Sequence, residues 1–216
     1  MATITLGGNT YNLIALPTNV GFSDITVTME DSVAVVESPY VPSQAQTQIW
    51  PGADAWSFQA TPPKMTQIDA AEWIAFLAAL RGRSNVFQVC DPMRTKPCGV
   101  AKGAPVVDGT ISGGNLVTAT ALDTRGWTPG IYRQLLAGDR LQIAYRYYMC
   151  VANVNSDDSG KAQISIWPSL RETPADGAVI QLANPMGVFR SADNKRSFHT
   201  TVDRLSQMSL SGTEVR

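Results

Sequence analysis

A mainly β chain with one amphipathic α-helix is the fold class this sequence predicts, and three observations carry that reading. Short alternating or β-branched runs, among them Ile25-Thr26-Val27-Thr28-Met29, Leu141-Gln142-Ile143 and Gln163-Ile164-Ser165-Ile166, lie between clusters of Gly, Pro, Asn and Asp. One stretch alone, Gln67 to Arg81, has convincing helical spacing, with Trp73, Phe76, Leu77 and Leu80 at i, i+3, i+4 and i+7. A length of 216 residues with 44% hydrophobic content is enough to bury one large core or two modest ones.

The elements follow in order. Ile25, Val27 and Met29 share one face of the first run and Asp24, Thr26, Thr28 and Glu30 the other, the pattern of a strand wet on one side. Asp31 falls on the apolar parity, so a bulge or turn is expected at Glu30-Asp31-Ser32 before Val33 and Val35 resume. From Gln44 to Gln48 the chain has no apolar face until Ile49 and Trp50, and a strand polar on both sides suits an edge that pairs across subunits. Thr66 with Asp69 three residues on resembles a capping box, and Gly82 can take the left-handed position after a helix ending at Arg81. Alanines 70, 71, 75, 78 and 79 leave small flanks on which a sheet can lie closely.

After the strand-like Val86-Phe87-Gln88-Val89, the texture turns Gly- and Pro-rich from Asp91-Pro92 to Pro105, which reads as a domain crossing. Turn signals at Asp108-Gly109, Gly113-Gly114, Pro129-Gly130, Gly138-Asp139, Asp157 to Gly160 and Asp176-Gly177 then have the spacing of a small barrel or sandwich. Asn184-Pro185 punctuates the exit, and Val188-Phe189-Arg190 and Gln207-Met208-Ser209-Leu210 return to strand-like text. The terminal stretch is expected to pair back with the first part, making the middle an insertion.

Charge narrows the function classes. With 17 Lys+Arg against 18 Asp+Glu the net charge is -1, which lacks the cationic excess of a tight phosphate-backbone binder, so no specific nucleic-acid binding is expected. The distribution is uneven: residues 1–63 hold Asp24, Glu30, Asp31, Glu37 and Asp54 and no Lys or Arg, leaving 17 basic and 13 acidic residues for the remainder. Arg81, Arg83, Arg94, Lys96 and Lys102 face only Asp91 in their stretch, and the acidic first stretch of an adjacent copy supplies a complement to them.

Cys90, Cys98 and Cys150 cannot all pair within one chain and form no CxxC motif, which fits a reduced compartment, with Cys90 and Cys150 as small buried hydrophobes. The first residues lack a basic and an apolar signal region, and no run of about 18 apolar residues occurs, so a soluble, unsecreted protein without membrane insertion is expected.

Catalytic and metal-binding candidates are few. His199 is the only histidine, which excludes a two-histidine metal triad, and its setting in Ser197-Phe198-His199-Thr200 near a strand entrance reads as surface or interface. Cys90 and Cys98 are too far apart for a zinc knuckle, and no Gly-x-Ser-x-Gly elbow is present. Asn155 to Gly160 follows the first half of a calcium loop, but position twelve is Ile166, so a hairpin turn is the better reading. Gly7-Gly8 and Gly113-Gly114 lack GxGxxG spacing and read as turns. No catalysis, cofactor or metal is expected. Trp127, Trp167, Tyr145, Tyr147 and Tyr148 raise the alternative of a glycan-binding module, with Tyr145 and Tyr147 on one strand face, Tyr148 on the other, and at least one tyrosine outside. A cell-wall-degrading enzyme is a third reading, with no paired catalytic carboxylates to recommend it.

An ordered set of residues covers nearly the whole chain: Ser38-Pro39-Tyr40, Gln44 to Trp50, Trp56-Ser57-Phe58, Ala71-Glu72-Trp73 with Phe76-Leu77, Leu80-Arg81-Gly82-Arg83, Phe87 and Asp91-Pro92. Leu136-Ala137-Gly138-Asp139, Asp158-Ser159-Gly160, Trp167-Pro168 with Leu170-Arg171, and Asn184 to Arg190 complete it. This set resembles the siphophage distal tail proteins (the Dit-like family), which cap the tail tube. The resemblance implies a β-sandwich hub, here residues 1–97 and 184–216, assembled as a hexameric ring, with an inserted β domain, residues 98–183, projecting outward. It implies a structural virion protein, made in the host cytoplasm, that joins the tail tube protein to the tail-tip or baseplate hub protein and leaves a channel for DNA and the tape measure protein. In relatives the inserted domain is a carbohydrate-binding module, an attachment point or decoration. Within such a ring Gln44, Gln46, Gln48, Arg81 and Arg83 are subunit-interface candidates. Asp24, Glu30, Asp31 and Glu37 are channel-lining candidates, because a sixfold acidic wall repels passing phosphates.

Overall fold

The computed structural model describes residues 2–37, 40–41, 44–110 and 114–216. The first part of the chain forms β1 (Ala2–Leu6), β2 (Asn9–Leu13), β3 (Asp24–Glu30), β4 (Val33–Glu37), β5 (Ala45–Ile49), β6 (Ala55–Thr61), the helix α1 (Gln67–Ala79) and β7 (Val86–Cys90). The middle adds β8 (Gly103–Val107), β9 (Ala121–Trp127), β10 (Arg140–Ile143), β11 (Arg146–Cys150), β12 (Lys161–Trp167) and β13 (Ile180–Gln181). The last part returns with β14 (Met186–Ser191), β15 (Phe198–Thr200), β16 (Ser206–Met208) and β17 (Leu210–Glu214). The protein is mainly β, with a single α-helix among the described residues.

Seven strands from the two ends of the chain build one sheet in the order β1-β2-β7-β14-β17-β6-β3. Its first hairpin closes through Gly7 and Gly8, both at positive φ, with Leu6 opposite Asn9; a two-residue turn needs this backbone to match the strand twist. Helix α1 covers one face. Trp73, Phe76 and Leu77 are buried with Leu80 among Phe58, Phe87, Phe189, Met208 and Leu210. The rings run edge to face from Trp73 to Phe76 at 5.8 Å, on to Phe87 at 5.7 Å, to Phe58 at 5.8 Å and to Phe189 at 4.9 Å. Ile4, Leu6, Val86, Val188 and Val215 form a smaller core of their own, with Val86 and Val188 the strand neighbours of Phe87 and Phe189 and so on the opposite face of the sheet.

The helix ends differ in detail from the expected ones. The Thr66 oxygen accepts the Asp69 N–H at 3.5 Å, while its hydroxyl donates to the Asp69 carboxylate at 2.8 Å. At the other end α1 stops at Ala79, with Leu80 as cap, and the left-handed turn takes two residues, Arg81 at φ 48° and Gly82 at φ 72°. A Cβ on Gly82 would lie 2.7 Å from Asn194 Oδ1, the atom that accepts the Arg83 N–H, so close approach as well as φ calls for glycine there. Arg196 donates to the carbonyls of Leu77 and Gly82 and so serves the free end of the helix.

The middle six strands form a second sheet, β13-β10-β11-β12-β9-β8, whose two edges approach through a bridge between Val106 and Val179, giving a nearly closed barrel. Val107, Leu122, Trp127, Leu135, Leu141, Tyr148, Ile164 and Leu170 fill it. Two ribbons complete the fold, β4–β5 and β15–β16. Gln207 to Leu210, expected as one strand, divides at Ser209 because β16 pairs with β15 whereas β17 pairs with β14 and β6. The Asn155 to Gly160 segment lies in the longer connection between β11 and β12, where Asp157 Oδ1 accepts the N–H groups of Ser159 and Lys161. Cys150 is buried, but Cys90 is only partly so. Ser38, Pro39 and Gly113 lie outside the described residues.

Trp73→Ala should destabilise the protein by about 3–5 kcal/mol, since the indole is fully enclosed. Ile68→Ala on the same helix, at a side chain 83% exposed, should change stability by less than about 0.5 kcal/mol. Urea unfolding of both variants checks the pair; equal effects would contradict the assigned helix face.

Candidate functional site

The β4–β5 ribbon belongs to neither large sheet and contributes no residue to the three buried cores. Its register sets Val33, Val35 and Glu37 opposite Ile49, Thr47 and Ala45, and Ala34 and Val36 opposite Gln48 and Gln46. Alternation therefore gives it one face with Val33, Val35, Glu37, Ala45, Thr47 and Ile49 and another with Ala34, Val36, Gln46 and Gln48. Val35 is 57% and Ile49 60% exposed. An isolated two-stranded ribbon is marginally stable in water, and this one leaves Val33, Val35 and Ile49 exposed beside Thr47. The glutamine strand β5 is exposed throughout, in keeping with its polar reading, but its partner strand supplies valines that β5 alone does not reveal.

The ribbon springs from the junction of hub and barrel. At its root Asp31 accepts the Trp167 indole N–H at 2.8 Å. Trp56 is buried beside Trp167, with ring centroids 4.5 Å apart, and beside Tyr147 at 5.4 Å, and its indole N–H donates to the Tyr147 carbonyl. The Arg140 guanidinium sits 4.8 Å over the Trp56 ring. Below it, Glu214 accepts from Arg171 at 3.0 Å and from the Trp56 backbone N–H at 3.1 Å, while Asp54 accepts the Ser169 N–H at 2.6 Å and hydroxyl at 3.0 Å. Arg171 also donates to the carbonyls of Gly52 and Asp54. Strand β11 contributes to both cores, Tyr147 to the hub and Tyr148 to the barrel. Burial pushes the Tyr148 hydroxyl up to about 12 and the Cys150 thiol up to about 11, and raises Tyr147 as well.

Asp24 and Glu30 are exposed at the two ends of β3 on its polar face, and Glu37 is exposed on the ribbon. Arg81 and Arg83 are exposed where α1 gives way to β7, whereas Arg94, Lys96 and Lys102 follow its far end; five residues of strand span about 17 Å, so the basic run is two groups. His199 is exposed in β15. The five aromatics of the middle region do not share an exposed platform: Trp127, Tyr147 and Tyr148 are buried, Trp167 is committed to the junction, and Tyr145 lies in the turn between β10 and β11. Asp108 is buried just past the end of β8, where the Thr110 hydroxyl, Lys161 and Arg125 hold its carboxyl well below the usual carboxylate range. Among the described residues no group of three His, Cys, Asp or Glu is placed to hold a metal ion.

One feature had no sequence signal. A groove of about 560 Å³ opens where β8 approaches β13, lined by Val100, Ala101, Ala104, Val106, Val179 and Leu182 and edged by Lys96.

Arg171→Met should cost about 3–5 kcal/mol, because Glu214 keeps a buried charge without its partner; loss of amide-exchange protection at the junction before global unfolding is the matching observation. A second expectation concerns alkali. The Cys150 thiol and the Tyr148 hydroxyl both ionise at higher pH in the folded than in the unfolded chain, so their contribution to stability is complete below pH 9 and falls as pH rises through 9 to 11 for the thiol and about 10 to 12 for the phenol. Urea midpoints should therefore drop above pH 9, and Cys150→Ala with Tyr148→Phe should flatten that slope. Compared with known proteins, the chain matches no family model, and no curated protein sequence matches it.

Proposed function

We propose that this chain is a structural component of a phage tail end, a subunit of a hexameric ring between the tail tube protein and the tail-tip or baseplate hub protein. The observation that carries the reading is the β4–β5 ribbon, an apolar-faced arm that its own chain leaves outside every core. A subunit whose surface is completed only by neighbours has a use for such an arm, and the tail-end resemblance over Gln44 to Trp50 falls on the same segment. Side-chain chemistry supports a structural role too: the strongly shifted carboxylate, Asp108, is engaged by Arg125 and Lys161 of its own chain. In this reading DNA and the tape measure protein pass through the ring, no reaction is catalysed, and Asp24 and Glu30 are the best placed of the four acidic channel candidates, both exposed on one face of β3.

Electron microscopy of the purified chain, and of tails that contain it, tests the proposal. Sixfold rings with an open axis at the tube end are expected; a chain that neither forms rings nor binds a tail tube protein would defeat it. In phage that still assemble tails, Asp24→Lys with Glu30→Lys should slow DNA ejection most at low salt, since the cationic wall gains phosphate contacts that salt weakens.

A further inference from the structure

We infer that the β4–β5 arm of one copy docks into the β8/β13 groove of the next copy, a head-to-tail contact between hub arm and inserted barrel. The inference rests on the reading of the chain as a ring subunit and specifies which surfaces meet.

The two surfaces match in shape class and charge. The arm presents Val33, Val35 and Ile49 on one side and ends on the exposed Glu37, and no Lys or Arg occurs in the first 63 residues. The groove is apolar, with Val179 71% exposed, and its edges carry positive charge: Lys96 lines it and Lys102 lies one residue from the lining Ala101 and Gly103. Between Arg94 and Pro105 the chain has no acidic residue. Among the described residues no carboxylate lines the groove; Asp176 is held by Arg125 at 2.8 Å and by the Gly109 N–H, and Asp139 is buried against the N–H groups of Cys98 and Gly99. The groove edge thus offers uncompensated cations to the acidic arm.

Within one chain Val35 of the arm and Val179 of the groove remain exposed, whereas Val33 and Ile49 also line a pocket with Thr118, Thr120 and Trp167 of the same chain. A contact between two different patches on identical subunits is heterologous and propagates around a ring. The groove follows the seam where β8 approaches β13, closed by the Val106–Val179 bridge and by backbone hydrogen bonds of Val107 with Ala178 and Gly177.

Native Cys98 gives a direct probe, because it is exposed and lies between Pro97 and Gly99, both lining residues. Full-length Val35→Cys, oxidised at assembling concentrations, should run as a ladder of covalent dimers and higher species on a non-reducing gel, and Cys98→Ser in the same chain should abolish the ladder. Lys96→Glu should weaken association by about tenfold in sedimentation, and adding Glu37→Lys should restore it. A ladder that survives Cys98→Ser, as arm-to-arm pairing produces, overturns the inference, as does association indifferent to Lys96→Glu; rings would still form in either case and the ring reading would stand. A wild-type chain that stays monomeric at every concentration overturns both.

Discussion

Strand β11 has to be covered on both faces, and the rest of the architecture follows from that requirement. Successive side chains of a strand point to opposite sides, and here Tyr147 and Tyr148 are both buried, one against the hub and one inside the barrel. A barrel standing free on a flexible tether would leave Tyr147 in water and would open the Trp56 site to solvent. Docked as it is, the barrel wall becomes part of the hub core, with Met149 and Trp167 packed on the same cluster. The barrel wall and the seven-stranded sheet therefore share one buried aromatic cluster.

The polar contacts at this junction set orientation more than they add stability. Taking Arg171 and Glu214 out of water costs several kcal/mol per ion, and their attraction and hydrogen bonds about offset that cost. Misplacement is what the pair forbids, because a barrel rotated away from Asp54 and Glu214 would strand a guanidinium with no acceptor. Stability comes instead from the aromatic cluster around Trp56, whose rings meet at tilted or perpendicular angles suited to their quadrupoles.

How much of this was legible in the sequence depended on the range of the interaction involved. The helix face was readable because its stripe is local, and so was the alternation of β3 at Ile25 and Val27, whereas Met29, expected on the same face, is 52% exposed. The end of α1 was misplaced by two residues, since Arg81 adopts a left-handed backbone that composition disfavours and that Arg196 and Asn194, more than a hundred residues away, support. Parity misled at Tyr145, which shares strand spacing with Tyr147 but falls in a turn with Ala144 at positive φ. The five basic residues looked like one patch because they are close in sequence, and the length of β7 separates them. The apolar face of the ribbon and the β8/β13 groove could not be read at all, since each is assembled from segments whose pairing register no local pattern records.

The same distinction changes the meaning of the acidic first stretch. Five carboxylates without a cation look like one negative surface, yet Asp54 is spent on Ser169 and Arg171, and Asp31 on the Trp167 indole. Both serve the junction. Asp24, Glu30 and Glu37 remain as exposed charges on the elements that carry them, and β3 and the arm hold them well apart. Beyond a Debye length of about 8 Å such charges act separately, so their effect is local to whatever each one faces. A negative field over a larger surface is therefore not a property of the single chain, whatever its charge asymmetry in sequence.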